Sequence, residues 1–480
     1  MQRARAPGSA APVPPAAPPQ AGQADHAGSV GETGKEPDRG GRAPRPAEAG
    51  SRAHVPLLAL LTLAHVLVDT YATIVPALLP FWQARFQLSY GLAGLITGIA
   101  NVTSSVAQPL VGMLTDRGRH PRWLAIACLV AAAGISATGL AASYPLFLAL
   151  VVCGGLGVSS FHPQGYKLVG LHSGRRQAAA TSWFLVGGNL GVALGPLVGT
   201  AAVLRFGLPG TALLLLPGAA LAAVLWWLVP RWTRAEASGQ RVGGAALGRD
   251  GRWRAPTGDT TDSARVLPAP SAAPPMVPPV VAGLSMGRRM AAIALLVAAV
   301  AVRSTVTSSL ASFIPLYYVR VAGMSEAFAS RVLAGTLLSG AAATIAGGYL
   351  ADRWGRLRTI GATLLPVPAL LLAFLAAPPD SPATLAALWA AGALVTASFS
   401  ITVVLAQDLW YERRALASGV IVGFAFGTGG LFVPLVGALA DRWGLAAGLR
   451  LVALLPLVSL LLFGLLAALL ERPRPAAPAG

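Results

Sequence analysis

The sequence predicts an all-α membrane protein with twelve transmembrane helices arranged as two six-helix pseudo-repeats. Apolar residues make up 55% of its 480 residues and charged residues only 11%, whereas a soluble globular protein has about 25% charged residues. From Val55 onward, apolar blocks recur that are long enough to cross a hydrocarbon layer of about 30 Å. The motif GMLTDRGRHPR, which begins at Gly112, returns 236 residues later as GYLADRWGRLR at Gly348. Such a regular offset indicates an internal repeat.

The apolar blocks divide the chain into a first half, 55–230, and a second half, 289–470. Between them, 231–288 is rich in Pro and Arg and is predicted to be a flexible cytoplasmic linker. Residues 1–54 lack the apolar run of a signal peptide and are predicted to be a disordered cytoplasmic tail, with 471–480 as a second tail. The predicted spans are 55–81, 90–114, 122–142, 146–171, 177–204, 209–230, 289–318, 326–350, 358–377, 383–409, 414–439 and 446–470.

The net charge of +18 comes from arginines in tails and short loops, which indicates membrane topology rather than nucleic-acid binding. By the positive-inside rule, both termini lie in the cytoplasm and the chain is a multi-pass protein of the cell membrane. Cys128 and Cys153 lie in apolar blocks and predict neither a disulfide nor a metal site. The two lysines, Lys35 and Lys167, are not in a nucleotide-binding loop, so ATP hydrolysis is not expected. No cofactor is predicted.

Asp69 is the one carboxylate placed deep inside a predicted span. Counted from Val55 it lies about 21 Å into the layer, whereas the other acidic residues fall in tails, the linker, loops or the ends of spans. His65 lies one helical turn away on the same face. Buried ionisable groups in membranes commonly mark a transport pathway, so Asp69 and His65 are predicted to carry coupling protons. The alternative is that Asp69 only locks helices together.

Arg303 is the one deep arginine, and it lies in the seventh predicted span. When the two halves are aligned with an offset of 235 residues, Arg303 falls opposite Val68, next to Asp69. The two charged side chains are therefore predicted to lie at similar depths in the membrane. Arg303 is predicted either to bind an anionic group of the substrate or to pair with Asp69 in one state of the cycle. A permanent pair between Arg303 and Asp69 is the alternative.

Further polar residues inside the spans are candidates for contacts with the substrate. The motif FHPQGYK of the fourth span contains a proline, which frees a backbone carbonyl and favours a polar cavity. Its histidine could instead bond that backbone, its lysine could extend to the surface, and the asparagine of the fifth span could serve helix packing. The candidates are His162, Gln164, Lys167, Tyr71, Asn101 and Asn189.

The repeated Gly-x-x-x-Asp-Arg loops are predicted to act as a conformational latch. Their aspartates could accept hydrogen bonds from a helix N-terminus or pair with an arginine of a neighbouring loop. The alternative is that their arginines only set orientation. The predicted latch residues are Gly112, Asp116, Arg117, Gly348, Asp352, Arg353 and Arg356.

These features resemble the major facilitator superfamily over about 55–470. Within it, HVLVDTYATIVPALLP, SSFHPQGYK, VGGNLGVALGPLVG and VRSTVTSSLASFIPLYYVR are similar to the fosmidomycin resistance protein family of efflux transporters. The resemblance implies proton-driven antiport that expels small drugs, including an anionic phosphonate. Gln164 departs from that family, whose members often have an acidic residue there.

The predicted function is export of a small anionic compound in exchange for protons by alternating access, as a monomer in the lipid bilayer. A symporter that imports an organic anion is the first alternative. A membrane-embedded enzyme or a nontransporting sensor is disfavoured, since two histidines make a poor zinc site.

Overall fold

The computed structural model describes residues 53–116, 122–239, 284–413 and 420–471, with positions 246–247, 253–254, 278, 281 and 417. By its internal contacts the chain divides into Met1–Ala49 and Gly50–Gly480, and every described residue lies in the second unit. Most of the predicted tails and most of the predicted linker therefore lie outside the described residues.

The described residues of the first half form seven α-helices, with short 3₁₀ turns at Thr138–Leu140, Gly174–Arg176 and Leu208–Leu214. The helices are α1 Val55–Ala77, α2 Leu79–Phe86, α3 Tyr90–Asp116, α4 Trp123–Ala137, α5 Tyr144–His172, α6 Gln177–Phe206 and α7 Leu215–Gly239. Two two-residue strands, Ala246–Leu247 and Trp253–Arg254, pair antiparallel within the predicted linker.

The second half is also helical, with a 3₁₀ turn at Tyr411–Arg413 and a π-helical turn at Val420–Phe424. Its helices are α8 Met286–Arg320, α9 Glu326–Trp354, α10 Arg356–Leu364, α11 Val367–Ala376, α12 Pro382–Ala397, α13 Phe399–Leu409, α14 Ala425–Trp443 and α15 Leu445–Leu470.

Ten helical stretches among the described residues are long and apolar enough to cross a membrane. They correspond to ten of the predicted spans, and α3 and α14 occupy the positions of the other two. The predicted ninth span is broken at Pro366, where the chain cannot continue a regular helix. The linker boundaries differ as well: α7 continues to Gly239 and α8 begins at Met286, inside the predicted range 231–288.

Side chains that accept backbone N–H groups define where several helices begin. Ser285, Ser325 and Ser381 each accept a hydrogen bond from the amide three residues later, at the start of α8, α9 and α12. A serine at this position satisfies one of the free amides of a first helical turn. The Nδ1 atom of His54 accepts the amide of Leu57 in the same way at the start of α1.

Helices α1 and α6 pack closely because α6 has a glycine at every fourth position. A side chain at Gly191 would lie 2.1 Å from the carbonyl oxygen of Val66, and one at Gly195 would lie 2.4 Å from that of Thr70. Small residues spaced by four let two membrane helices approach to backbone contact. This packing brings the middle of α1, which contains Asp69, against α6.

The apolar core is joined across the halves at one end of the bundle and divided at the other. We call the end that contains the α8–α9 turn the far end, and the end where α7 ends and α8 begins the linker end. At the far end, buried residues of both halves form one cluster, which includes Trp82, Phe147, Phe313 and Phe374. Towards the linker end, two separate clusters belong to the first and the second half respectively.

An ion pair at the linker end connects the start of α8 to the turn after α13. The guanidinium of Arg289 donates to both carboxylate oxygens of Glu412. These hydrogen bonds lower the pKa of Glu412 from 4.5 to about 2. Because the folded-state pKa is depressed, the contribution to stability is complete above pH 4.5 and is lost as the pH falls towards 2.

Candidate functional site

Helices α1 and α5 bring one carboxylate between two histidines in the first half. Nε2 of His65 lies 3.2 Å from Oδ2 of Asp69, and Nε2 of His162 lies 3.1 Å from Oδ1. His65 and Asp69 are buried and lie one turn apart on α1, whereas His162 comes from the predicted FHPQGYK motif on α5. We call these three residues the His–Asp–His cluster.

The other ring nitrogens of the cluster contact backbone carbonyls. Nδ1 of His65 lies 2.7 Å from the carbonyl oxygen of Phe184 on α6, and Nδ1 of His162 lies 2.8 Å from that of Val158. Since a carbonyl oxygen only accepts, each Nδ1 carries the hydrogen and donates it. Each Nε2 then faces a carboxylate oxygen, and a hydrogen bond there requires a further proton on the nitrogen or the oxygen. Fully hydrogen bonded, the cluster holds two exchangeable protons.

The surroundings of the cluster leave no spare room. The ring of Phe184 stacks on that of His65, with ring centroids 4.0 Å apart, and Tyr166 lies edge-on to both rings. At Gly188 of α6, a Cβ atom would lie 2.6 Å from the His65 ring and 2.7 Å from Oδ2 of Asp69. Glycine at this position is therefore needed for the cluster to form.

Two imidazoles and a carboxylate are also ligands that can coordinate a divalent metal. Their ligand atoms lie within 4.8 Å of one another, and in the described part of the chain this is the one such group of three. In this conformation the nitrogen and oxygen atoms contact one another directly at hydrogen-bond distance. The described geometry of the cluster is therefore that of a hydrogen-bonded group.

Arg303 lies buried on α8 in the second half. Its guanidinium donates to the carbonyl oxygen of Val395, 3.3 Å away, and lies over the ring of Phe399. Its Nε atom is buried and has no hydrogen-bond partner among the described residues. A buried guanidinium with an unused donor can bind an anion.

The predicted pairing of Arg303 with Asp69 is not among the described contacts of either residue. Asp69 is held by the two histidines, whereas Arg303 contacts Val395 of α12 and Phe399 of α13 in its own half. The repeat alignment matched the depth of the two residues in the membrane, but depth does not determine which way a side chain points.

The other candidate substrate residues are spread over both halves. Nδ2 of Asn101 donates to Ser308 on α8, 3.0 Å away, which connects the halves. Tyr71 lies in the core and donates its hydroxyl to the carbonyl oxygen of Leu214, so its contacts are those of a packing residue. Gln164 is buried, while Lys167 and Asn189 are half-buried on α5 and α6.

The residues predicted to form a latch are only partly described. Gly112 and Asp116 lie in α3, but the side chain of Asp116 and all of Arg117 are outside the described residues. Asp352 and Arg353 are exposed in the last turn of α9, and Gly348 lies one turn earlier in the same helix. The guanidinium of Arg353 lies over the ring of Tyr349. Arg356 pairs with Asp408 inside the second half.

Comparison with known families gives the class of the protein. The family model of the Major Facilitator Superfamily matches residues 61–335 and 296–480. The chain belongs to the Major Facilitator Superfamily. It is therefore a multi-pass membrane transporter rather than an enzyme, and its environment is a lipid bilayer.

Two relatives show which members of the superfamily this chain is similar to. It is 29% identical over 409 residues to the uncharacterized MFS-type transporter YfnC of Bacillus subtilis (strain 168), with 85% of this chain and 92% of the relative covered. It is 28% identical over 411 residues to the fosmidomycin resistance protein of Escherichia coli (strain K12), with 86% and 93% covered. The predicted resemblance to that family is confirmed.

Solved structures of the superfamily share the fold. A bacterial homologue of the human lysosomal transporter Spinster, in an inward-facing and occupied conformation, matches with a TM-score of 0.67 and 16% identity, over 88% of this chain and 99% of that one. The nucleoside transporter NupG matches with a TM-score of 0.63 and 11% identity, over 86% and 99%.

Sequence reasoning missed two residues of the site. Phe184 supplies the carbonyl that orients His65, and Gly188 leaves the space that the cluster fills. The glycines at every fourth position of α6 were a visible signal for close packing, but they do not show which side chain enters the space.

Proposed function

We propose that this superfamily member exports a small anionic compound in exchange for protons by alternating access. The observation that carries the proposal is the His–Asp–His cluster, because an aspartate clamped by two imidazoles inside a membrane bundle is suited to gain and lose protons. The two halves would rock around a site between them, as in other transporters built from repeats.

In the proposed cycle, Asp69, His65 and His162 carry the coupling protons. The cluster holds up to two, and its formal charge changes from +1 with both protons to −1 with none. His162 was predicted as a substrate contact, and its bond to Asp69 supports the proposal that it also carries a proton.

The substrate is proposed to bind between the halves through Arg303. Its unused Nε donor and its burial suit a carboxylate, phosphate or phosphonate group, for which arginine has a matching planar geometry. Asn101, Asn189, Gln164 and Lys167 are proposed to complete the polar lining of this site.

Export is supported by similarity to a protein named for fosmidomycin resistance. One feature favours the second candidate, a symporter that imports an anion with protons: protonation makes the cluster more positive, which attracts an anion rather than repelling it. The two candidates therefore require an experiment on direction.

Inverted membrane vesicles that contain the protein separate antiport from symport. With an acidic lumen, an antiporter accumulates radiolabelled fosmidomycin inside the vesicles, whereas a symporter accumulates it only when the outside is acidic. Vesicles that contain Asp69→Asn protein are the control. No uptake with an acidic lumen, together with uptake from an acidic medium, would establish symport.

His162→Gln is expected to remove about one of the protons released when substrate binds. Glutamine can still donate a hydrogen bond to Asp69, but it cannot titrate at physiological pH. Proton release is measured in weakly buffered detergent solution on addition of fosmidomycin, per mole bound, and His54→Gln at the start of α1 is the control. Unchanged release would show that His162 does not carry a proton.

Arg303→Lys is expected to weaken binding of an anionic substrate roughly tenfold to a hundredfold. Lysine keeps the charge but loses the planar set of donors, and a hydrogen bond to a charged group contributes about 1.5–3 kcal/mol. Fosmidomycin binding is measured by calorimetry, with Arg331→Lys on the exposed surface of α9 as the matched control. Equal affinity in the two variants would argue against anion binding by Arg303.

We also propose that the chain crosses the membrane twelve times as two repeats, with α3 and α14 as the spans beyond the ten long apolar stretches. Both termini would lie in the cytoplasm, since the arginines concentrate at the linker end. The repeated Gly-x-x-x-Asp-Arg motif supports a proposed latch role for Gly112, Asp116, Arg117, Gly348, Asp352, Arg353 and Arg356. The protein is also proposed to act as a monomer.

A further inference from the structure

At the far end, a carboxylate of the second half contacts the first turn of a helix in the first half. Oδ1 of Asp441, near the end of α14, accepts the backbone amide of Tyr90 at 2.6 Å, and Oδ2 accepts that of Gly91 at 2.9 Å. These two amides begin α3 and have no partner within their own helix. A carboxylate at a helix N-terminus is stabilised both by the hydrogen bonds and by the helix dipole.

A second polar contact joins the halves at the same end. Arg320, the last residue of α8, donates from its Nε atom to Oε1 of Gln83, 3.0 Å away, and from Nη2 to the carbonyl oxygen of Pro80, 2.9 Å away. Both acceptors belong to α2 in the first half. Asp441 and Arg320 thus contact the segment on either side of the α2–α3 turn.

The packing of α3 against α14 shows how closely the halves approach here. A Cβ atom at Gly437 would lie 2.3 Å from the carbonyl oxygen of Tyr90, and one at Gly94 would lie 2.9 Å from that of Val433. The joined apolar core lies behind these contacts, whereas the core is divided between the halves towards the linker end. The polar contacts of Asp441 and Arg320 therefore coincide with the closed end of the bundle.

The segment that contains Asp441 occurs twice in the chain. The six residues LADRWG form both Leu350–Gly355, at the linker end of α9, and Leu439–Gly444, at the far end of α14. In this conformation the far-end copy makes contacts between the halves. In the linker-end copy, Asp352 and Arg353 are exposed, and Arg353 lies over Tyr349 of its own helix.

We propose that Asp441 and Arg320 form a latch that holds the far end closed and must open once in every transport cycle. The proposal assumes the alternating access proposed above, but it concerns the far end and does not depend on how protons are coupled. When the far end opens, α3 and α14 separate, the first amides of α3 lose the carboxylate, and water replaces it. Removing the carboxylate therefore favours the open far end.

The test measures the distance between the halves directly. Spin labels are placed at Leu140→Cys and Val321→Cys, both exposed at the far end in opposite halves, in a background that carries Cys128→Ala and Cys153→Ala. Pulsed electron–electron double resonance on the protein in nanodiscs then gives the distribution of distances between the two labels without added substrate. We expect Asp441→Ala to raise the long-distance population on the order of tenfold relative to the unsubstituted pair.

The matched control is Asp380→Ala, which removes an exposed carboxylate from a far-end loop of the same half and is expected to leave the distribution unchanged. Asp441→Asn keeps one acceptor oxygen and should give an intermediate shift, which guards against misfolding of the alanine variant. Arg320→Met should shift the distribution in the same direction. Identical distributions for Asp441→Ala, Asp441→Asn and Asp380→Ala would overturn the latch. If Asp441→Ala shifts the distances as expected but the unsubstituted protein shows no proton-coupled transport, only the proposed function is overturned.

Discussion

Asp69→Asn is expected to impair proton-coupled transport severely while leaving the protein folded. Asparagine has nearly the shape of aspartate, so the space among His65, His162 and Gly188 is still filled. It cannot release a proton, however, and its amide nitrogen can only donate to one imidazole while its oxygen accepts from the other. The exchangeable protons of the cluster then fall from two to one, and that one loses the carboxylate that stabilises an imidazolium.

The measurement uses proteoliposomes with an imposed pH gradient and fosmidomycin as the probe. Gradient-driven flux is expected to fall at least about tenfold, a barrier change of about 1.4 kcal/mol, whereas exchange of labelled for unlabelled fosmidomycin across equal pH persists. Asp380→Asn makes the same chemical change in an exposed loop and serves as the control. Full gradient-driven flux in Asp69→Asn protein would make Asp69 a structural residue.

Gly188→Ala is expected to disrupt the same site without replacing any polar side chain. The added Cβ would lie 2.6 Å from the ring of His65 and 2.7 Å from Oδ2 of Asp69, closer than a Cβ atom approaches its non-bonded neighbours in folded proteins. Either the His65 ring leaves the carbonyl of Phe184 or α6 moves away from α1, and overpacking of this kind costs about 1–3 kcal/mol. Coupled transport should therefore fall together with thermal stability.

The control substitution Gly464→Ala separates the effect of close packing at Gly188 from the effect of alanine on helix propensity. Gly464 lies in α15, where an added Cβ would meet no atom within 4 Å apart from its sequence neighbours and the backbone of its own helix, and alanine favours a helix by about 1 kcal/mol over glycine. Gly464→Ala should thus keep transport and leave the melting temperature equal or higher. If Gly188→Ala matched Gly464→Ala in both measurements, the close packing around the cluster would be wrong.

Two parts of the molecule were predictable because they depend on residues close in sequence. Helices of the right length follow from apolar blocks, because hydrocarbon forces each backbone amide to bond within its own segment. The shared face of His65 and Asp69 follows from their spacing of four. Breaks within helices were predictable only where a proline marks them. Pro366 marks the break in the ninth predicted span, whereas the π-helical turn before α14 contains no proline.

The partners of Asp69 were harder to predict. The internal repeat suggested Arg303, since aligned residues of two halves lie at equal depth, but the repeat contains no information on which way a side chain faces. His162 reaches Asp69 because α5 crosses α1 at that level, and its ring direction depends on a bond to Val158 in its own helix.

The sequence by itself determined the superfamily, the order of the apolar segments and the presence of a carboxylate within the first of them, since each follows from motifs, composition or spacing along one helix. Only the tertiary structure decided that two histidines flank Asp69, that Arg303 lies against α12 and α13, and that Asp441 contacts the start of α3. The physical reason is that contacts between helices depend on rotation about each helix axis and on crossing positions, which small residues such as Gly188 and Gly437 determine through close packing.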